Sequence, residues 1–336
     1  MQTGTNLDQF VDTLKAMAES SRLRILVLLS RGDLTVSDLT DILGQSQPRV
    51  SRHLKLLLDA RLIARYQEGS WAYFCLSPEE APRDLIDSLT ARINVRDRQL
   101  ERDLERLDDI RHRRLEQAQA YFAANAAEWN EMRSLHAPDA AVETALLEVI
   151  GDRPIQTMLD LGTGTGRMLE LFAPLYRRGV GIDTSHEMLS IARSNLDKAG
   201  ITHAQVRKGD VYAPPVERDH FDLVTAHQML HYLDNPALAI REAARLLRPA
   251  GRLAIIDFAP HDLEFLRDEH AHLRLGFSDQ QMAEWFTECG LDLEETVQIE
   301  EQNGTGQKLV VKLWLARDRR MLIADPVSAD TLKETA

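Results

Sequence analysis

The second half of the chain alternates between β-rich and helical segments, and this alternation limits the folds open to it. From residue 157 onward the β-rich runs are TMLDL, GVGID, AQVRKG, FDLVTA and GRLAIIDF, separated by helical runs such as SHEMLSIARSNLDKAG. Such a βαβα order is typical of a doubly wound, mainly parallel sheet. The closing runs LDLEETVQIEE and QKLVVKLWLARD flank NGTG and predict an antiparallel hairpin on that sheet.

The first of these strands runs into a glycine-rich loop, LDLGTGTG. Gly162, Gly164 and Gly166 allow backbone N–H groups to approach a ligand, because no Cβ stands in the way. The spacing differs from the G-x-G-x-x-G that receives a pyrophosphate, and the preceding Asp160 suits an ammonium group instead. The loop therefore predicts a nucleoside site, although glycines that serve only a tight strand-to-helix turn remain the alternative.

Two further acids follow the next strands. Asp183 ends the second strand, where its two oxygens can accept from both hydroxyls of a ribose. Asp210 follows the third strand and can accept from an adenine amino group, with Val211 beside it. Because the carboxyl ends of parallel strands meet at one edge of a sheet, we expect all three acids at a single site.

The first 81 residues have a different order of elements. We predict a helix over residues 7–30, a short helix in LTVSDLTDILG, and another in SQPRVSRHLKLLLDA capped by Ser46. The runs RLIARYQ and WAYFCL follow as two strands joined at residues 68–70. Helix, turn, helix and hairpin together predict a winged helix-turn-helix domain over residues 1–81.

The last of these helices predicts a face for DNA. Its apolar residues share one side, which has to be buried, so its basic residues point outward. A helix with an apolar back and a basic front fits the major groove of DNA. The hairpin is the expected wing, although a solvated basic face is the simpler alternative. The predicted DNA-contacting residues are Gln47, Arg49, Ser51, Arg52, His53, Lys55, Arg65, Gln67 and Ser70.

The net charge of −13 at first argues against nucleic acid, because neutralised phosphates dominate DNA affinity. Residues 1–120 carry a net charge of only −1, however, and the remaining −12 lies in the second half. A basic strip on a nearly neutral domain is compatible with DNA, and the acidic half with a small-molecule site. Only two cysteines, no signal-peptide pattern and no long apolar run lead us to expect a cytoplasmic protein with no membrane partner.

Between the two predicted domains, residues 82–136 have a helical and strongly charged sequence. A narrow apolar stripe runs along it at three- and four-residue steps, formed by Leu85, Leu89, Ile93, Leu100, Leu104, Leu107, Ile110 and Leu115. A stripe on one long helix needs a partner helix. We favour a homodimer interface over an intramolecular connector, because so long a stripe has little else to pack against.

The ordered runs LDLGTGTG, GIDTSHEML, KGDVYAPP and FDLVTAHQMLHYLDNPALAIREAARLLRPAGRL resemble the motifs of class I S-adenosylmethionine-dependent methyltransferases over residues 157–317. The resemblance implies that Asp160, Gly162 and Gly164 surround the methionine part, and that Met188 packs on the adenine. The expected cofactor is S-adenosylmethionine or S-adenosylhomocysteine, in a domain of residues 137–318. The predicted cofactor-binding residues are Asp160, Gly162, Thr163, Gly164, Gly166, Asp183, Met188, Asp210, Val211 and His227.

Residues 7–80 resemble the ArsR/SmtB family of winged-helix repressors, through SQPRVSRHLKLLLDARLIARYQEGSWAYFCL. Metal-sensing members often carry a cysteine pair in the helix before the recognition helix, or histidine and aspartate ligands in the last helix. TVSDLTDILG has no cysteine and PRDLIDSLTARI has no histidine, so we predict no metal site of those kinds. The last residues, 319–336, are expected to be a disordered tail.

Histidines gather after the fourth and fifth strands of the predicted sheet, at positions 227, 231, 261, 270 and 272. They fit three interpretations: an acceptor-binding or proton-accepting set with His227, His231 and His261 as catalytic candidates, a metal site, or ordinary pocket and helix-end residues. We favour the last. Tyr121, Trp129 and Arg133 are candidates for a lid over the cofactor, or for core residues of the connector.

Fusions of these two domains resemble regulators of the methionine and methyl cycle that respond to S-adenosylhomocysteine. The sequence therefore predicts a dimeric repressor that binds an operator in double-stranded DNA and takes one of the two nucleosides as its effector. A methyltransferase acting on a small molecule, with a regulatory DNA-binding domain, is the alternative. An enzyme needs groups that place and deprotonate an acceptor, whereas a sensor needs only the pocket.

Overall fold

A computed structural model describes residues 6–77, 79–94, 96–126, 129, 139–300 and 309–320. The chain forms two compact units. The N-terminal unit contains Met1–Tyr121 and two short segments from later in the chain, His231–Asn235 and Pro260–Leu275. The sheet unit contains Phe122–Leu230, Pro236–Ala259 and Gly276–Ala336.

The N-terminal unit is a winged helix-turn-helix with further helices, one of which comes from the later segment Pro260–Leu275. The helices that begin in its first segment are α1 (Leu7–Met17), α2 (Ser20–Leu29), α3 (Val36–Leu43), α4 (Gln47–Asp59), α5 (Glu80–Thr90) and α6 (Arg98–Asn125), the last of which continues into the sheet unit. Its strands are β1 (Leu34–Thr35), β2 (Ile63–Glu68) and β3 (Trp71–Leu76), paired antiparallel in the order β1-β3-β2.

The helix predicted over residues 7–30 is two helices, so that prediction was wrong in its length. Glu19 is extended (φ −154°, ψ 140°), and its carboxylate accepts from the backbone N–H of Arg22 at 2.9 Å. A glutamate that caps the next helix in this way ends the preceding one. The following helix, α3, begins as predicted with a capping box between Thr35 and Asp38. Ser46 is the N-cap residue of α4, but its side chain makes no capping hydrogen bond.

The apolar stripe predicted on one long helix is divided between α5 and α6. Leu107 and Ile110 of α6 belong to the core of the winged helix, with 1% and 7% of their surface exposed, and Leu85 and Leu89 of α5 are partly buried against that core. The fully buried Asp103 fixes α6 to α2, because Arg24 donates to it at 2.5 and 2.7 Å. The stripe therefore packs within the chain over most of its length, as the connector alternative expects, and a dimer interface on these helices stays a prediction.

The sheet unit has seven strands in the order β6-β5-β4-β7-β8-β10-β9, parallel except for the antiparallel β10 and β9. The strands are β4 (Ile155–Leu161), β5 (Tyr176–Asp183), β6 (Ala204–Lys208), β7 (Phe221–His227), β8 (Leu247–Phe258), β9 (Leu291–Glu300) and β10 (Val310–Asp318). The predicted doubly wound sheet and its closing hairpin are confirmed.

The sheet unit contains the helices α7 (Asp139–Ile150), α8 (Arg167–Leu171), α9 (His186–Lys198), α10 (Pro236–Leu246) and α12 (Asp279–Glu288). The segment Pro260–Leu275 contributes α11 (Phe265–His270) to the N-terminal unit, and a single 3₁₀ turn spans Leu230–Tyr232. Strand order reverses between β4 and β7, and ligands of open α/β sheets bind at the carboxyl ends of the strands at such a point. None of the helices described is long and apolar enough to cross a membrane.

Candidate functional site

The glycine loop lies at this reversal of strand order and needs its glycines for two reasons. Gly162, Gly164 and Gly166 have φ of 64°, 51° and 86°, a left-handed conformation that other residues rarely adopt. A Cβ on Gly162 would lie 2.4 Å from Cγ of Met229, and one on Gly166 would lie 3.2 Å from the Cβ of Ala192. Side chains of the sheet unit thus contact the loop where a Cβ on these glycines would lie.

Asp160 lies at the end of β4 and is 1% exposed. Its carboxylate accepts from the hydroxyl of Thr225 on β7 at 2.7 Å, so the pair joins the two strands between which the order reverses. Burial of a carboxylate is costly unless hydrogen bonds satisfy it. Thr225 was not predicted, because the residue that faces Asp160 across the sheet depends on strand pairing and not on local sequence.

Asp183 ends β5 and holds the loop in place. One carboxylate oxygen accepts from the N–H of Gly164 at 2.8 Å, and the other accepts from the N–H of Ser185 at the same distance. Burial raises the pKa of Asp183 above its usual value, while the N–H groups of Ser185, Gly164 and Thr184 act in the opposite direction. A carboxylate has about four lone-pair sites, so it can still accept from a ribose with these bonds in place.

The other predicted cofactor residues differ in their exposure. Met188 and Val211 are buried, whereas Asp210 is exposed and accepts from the N–H of Tyr212 at 2.9 Å. Thr163 is 5% exposed, and a Cβ on Gly181 would lie 2.6 Å from its hydroxyl oxygen. Thr163 therefore packs down onto β5, and its side chain supports the loop from below.

Gln228 and Met229, the two residues after β7, carry no signal in the sequence. Gln228 has a φ of 48° and is 8% exposed, and its N–H donates to the carbonyl of Ile256 at 2.7 Å. Non-glycine residues with positive φ are uncommon and cluster at functional sites. This turn directs Met229 onto Gly162 and leaves the half-buried His227 at the end of the strand. No sequence pattern marks a glutamine for this conformation.

The three residues predicted for a lid are not found at one place. A Cβ on Gly164 would lie 3.8 Å from the indole nitrogen of Trp129, which packs edge-on against Phe122 with ring centroids 5.2 Å apart. Trp129 is thus beside the loop. Tyr121 belongs to the N-terminal unit, where its hydroxyl lies 2.9 Å from Nδ1 of His270. Arg133 lies outside the described residues.

Most of the histidine group belongs to the N-terminal unit, while His227 belongs to the sheet unit. His231 and His272 are 1% and 4% exposed, and their rings lie 4.1 Å apart. The N–H of His261 donates to the carbonyl of Leu275. Of the three catalytic candidates, only His227 lies at the end of a strand that borders the glycine loop. Within the described ranges, no three His, Cys, Asp or Glu side chains are arranged to hold a metal ion.

Helix α4 has the two faces that the sequence predicts. Val50, Leu54 and Leu57 are at most 1% exposed, whereas the residues that point outward are Gln47, Arg49, Ser51, Arg52 and Lys55. His53 differs from its predicted place, because it is 9% exposed and its Nδ1 lies 3.6 Å from the carboxylate of Glu19. Burial also lowers the pKa of His53. The residue therefore packs on the buried side of α4 and does not belong to its outer face.

The wing, β2 and β3 with their turn, also has two faces. Arg65 and Gln67 are exposed on one side of β2, and the side chain of Arg65 donates to that of Gln67 at 3.0 Å. Tyr66 and Glu68 alternate with them and point to the other side, where later segments of the chain cover them. At the tip, the N–H of Ser70 donates to the carboxylate of Glu264 at 2.5 Å. The wing is therefore only partly available to another molecule in this structure.

Comparison with known proteins matches one family model to a segment of each unit. Residues 19–65 match the bacterial regulatory proteins of the arsR family, and residues 159–255 match a methyltransferase domain family. The arsenical resistance operon repressor of Bacillus subtilis is 43% identical over 84 residues, which cover 25% of this chain and 80% of the repressor.

Two further relatives extend this comparison. An uncharacterized 37.1 kDa protein in transposon TN4556 of Streptomyces fradiae is 28% identical over 263 residues, 72% of this chain and 69% of that protein. The uncharacterized methyltransferase YcgJ of Bacillus subtilis is 30% identical over 138 residues, 38% of this chain. The match spans 53% of YcgJ, about half of its length.

Proposed function

We infer that this chain, which belongs to the arsR family of bacterial regulatory proteins and continues into a class I S-adenosylmethionine-dependent methyltransferase domain, is a dimeric transcriptional repressor with a nucleoside effector. The effector is S-adenosylhomocysteine or S-adenosylmethionine, and the regulated genes belong to the methionine and methyl cycle. The protein acts in the cytoplasm, on an operator in double-stranded DNA.

The observation that carries the DNA-binding half is the outer face of α4. Arg49, Arg52 and Lys55 are exposed on a helix whose opposite side is buried in the winged-helix core. Long basic side chains on a supported helix are suited to guanine edges and to phosphates in a major groove. Arg65 and Gln67 on the open side of the wing extend the same role to the neighbouring DNA backbone.

The effector half rests on Asp183 and the loop that it holds. A carboxylate whose two oxygens are already oriented by backbone N–H groups is set to accept from a pair of vicinal hydroxyls. Asp160 then provides negative charge for the ammonium group of the amino-acid part, and Met188 and Val211 provide an apolar surface for the adenine. All these residues belong to the sheet unit.

For the homodimer we propose a new interface, because α5 and α6 pack within the chain. Four apolar residues of α1 lie at helical spacing and are exposed, with values of 75%, 41%, 37% and 39% for Leu7, Phe10, Val11 and Leu14. A contiguous exposed apolar face on a helix marks an association site. Pairing α1 with a second copy would cover this face and set two recognition helices on a two-fold symmetric operator.

Linkage between the two ligands tests the proposal. A duplex selected from a random-sequence library with the full-length chain is titrated with protein at saturating S-adenosylhomocysteine, at saturating S-adenosylmethionine and without either. We expect S-adenosylhomocysteine to weaken duplex binding by about 5- to 150-fold, the usual range for coupling of two sites. Duplex affinity unchanged by both nucleosides rejects the sensor and leaves a small-molecule methyltransferase, with His227 beside the loop, as the better function.

A further inference from the structure

Later segments of the chain cover one side of the wing, and the effect on DNA that we assign to them rests on the proposed function. The segment Pro260–Leu275 leaves the sheet after β8 and belongs by its contacts to the N-terminal unit. Three of its side chains hold the wing, Glu264, Arg267 and Arg274, and we call them, with their partner Glu68, the wing clasp. Residues that are nearly two hundred positions apart are brought together in this way.

The centre of the clasp is a buried charge pairing. The carboxylate of Glu68 accepts from Arg267 at 2.9 Å, and Arg274 lies 3.8 Å from its other oxygen. The side chains of Glu68, Arg267 and Arg274 are only 13%, 4% and 5% exposed. The N–H of Leu275 also donates to Glu68. Buried charges need partners of this kind, so the carboxylate fixes the segment on the wing.

Aromatic side chains of the wing complete this contact. The guanidinium of Arg267 lies 4.5 Å from the ring centre of Trp71, and that of Arg274 lies 4.2 Å from the ring centre of Tyr73. Arg274 also donates to the hydroxyl of Tyr66 at 2.9 Å, which in turn donates to Asp33 at 2.6 Å. Both arginines are therefore stacked and paired on the same face of the hairpin.

The tip of the wing shows what the clasp does. The N–H of Ser70 donates to the carboxylate of Glu264, and a Cβ on Gly69 would lie only 1.9 Å from an oxygen of that carboxylate. Gly69 therefore leaves the space that the carboxylate fills. Backbone N–H groups at exposed turns are donors for DNA phosphates, and a carboxylate is an anion of similar hydrogen-bonding chemistry.

We propose that the clasp is autoinhibitory: Glu264 occupies at the wing tip the position of a DNA phosphate, and DNA engages the tip only after the segment has released it. With the clasp closed, the negative charge of Glu264 repels the DNA backbone, and the Ser70 amide is already bonded. Arg65 and Gln67 stay open on the other side, so the closed clasp weakens binding without abolishing it.

The test compares two glutamates of the same segment. Glu264→Ala removes the carboxylate from the wing tip, whereas Glu269→Ala removes an equal charge from an exposed position of α11. Binding of the full-length chain to the selected duplex is measured over a range of salt. We expect Glu264→Ala to tighten binding by about 3- to 10-fold and to steepen the slope of log K against log [salt] by about 0.9 for each phosphate gained. Glu269→Ala should change both much less.

A second variant separates contact from charge. Gly69→Asn keeps a residue that tolerates the left-handed conformation (φ 56°) but places a Cβ where Glu264 lies, with no change of charge. We expect tighter duplex binding in the same direction as for Glu264→Ala. Hydrogen exchange at the Ser70 amide, measured without DNA, should accelerate in both variants and not in Glu269→Ala.

The outcomes distinguish the clasp from the function on which it rests. Equal affinities for wild type, Glu264→Ala and Gly69→Asn, with faster exchange at Ser70, overturn the autoinhibitory clasp while the repressor function stands. Equal gains in Glu264→Ala and Glu269→Ala also overturn it, because the effect is then general charge. If no duplex is bound by wild type or by either clasp variant, the repressor function fails as well. If the clasp variants bind the duplex more tightly, and this gain is lost when Arg49 and Arg52 are replaced, both the autoinhibitory clasp and the repressor function are supported.

Discussion

Helix α4 and the glycine loop are held in shape by different parts of the chain. The loop is held by Asp183, Ala192 and Met229, which lie within about seventy residues of it in the same unit. Helix α4 rests on a core to which α6 contributes Leu107 and Ile110, and the neighbouring wing is held by residues near position 270. The loop is thus positioned by residues of its own unit that are near in sequence, whereas α4 and the wing depend on distant segments.

The largest expected effect tests the glycine loop. Asp183→Ala removes the two charge-assisted hydrogen bonds that we propose to a ribose, each worth about 1.5–3 kcal/mol, and also frees the N–H of Gly164. We expect affinity for both nucleosides to fall by at least a hundredfold in calorimetry. Duplex binding without nucleoside should be unchanged. A loss of both activities would show that the loop supports more of the molecule than its own site.

The next prediction tests the distant support. Leu107→Ala should lower the free energy of unfolding of the winged-helix unit by about 2–5 kcal/mol, because the side chain is 1% exposed and leaves a cavity. Leu115→Ala, at an end of the stripe that is 38% exposed, is the matched control and should cost well under 1 kcal/mol. Chemical denaturation measures both. If Leu107→Ala instead gave a stable monomer, the stripe would be a dimer interface after all.

A smaller effect is expected on the outer face that this core supports. Arg52→Ala should weaken binding to the selected duplex by about 1–3 kcal/mol and leave the fold intact by circular dichroism. Arg102→Ala removes a guanidinium from another exposed position, on α6, and should have little effect. Similar losses in both variants would indicate general attraction to phosphate, and the groove assignment of α4 would then fail.

These two regions also differ in how well the sequence predicts them. The glycine loop, Asp160 and Asp183 could be assigned because their spacing along the chain fixes their place at the strand ends. The family comparisons confirm the two domain types that the motifs predict. The division of residues 7–30 was missed, because a glutamate side chain that caps α2 looks like any helical residue. The wing clasp was missed because its partners meet only in the folded chain.

His53 shows the same limit at a single residue and gives the smallest predicted effect. Helical spacing placed it at the flank of the basic face, yet it packs beneath α4 against Glu19. Burial lowers its pKa below the usual 6.5, Arg22, Arg49 and Arg52 act in the same direction, and Glu19 opposes them. The neutral form is therefore favoured in the folded state. A proton binds the unfolded chain more readily, so this contribution to stability is present above pH 6.5 and is lost as the pH falls below it.

We expect the midpoint temperature of unfolding to fall in wild type when the pH is lowered from about 8 to about 5.5. In His53→Gln it should fall less steeply. His112→Gln, whose side chain is 70% exposed, should keep the wild-type slope. Equal slopes in all three proteins would place His53 back on the exposed side of the helix.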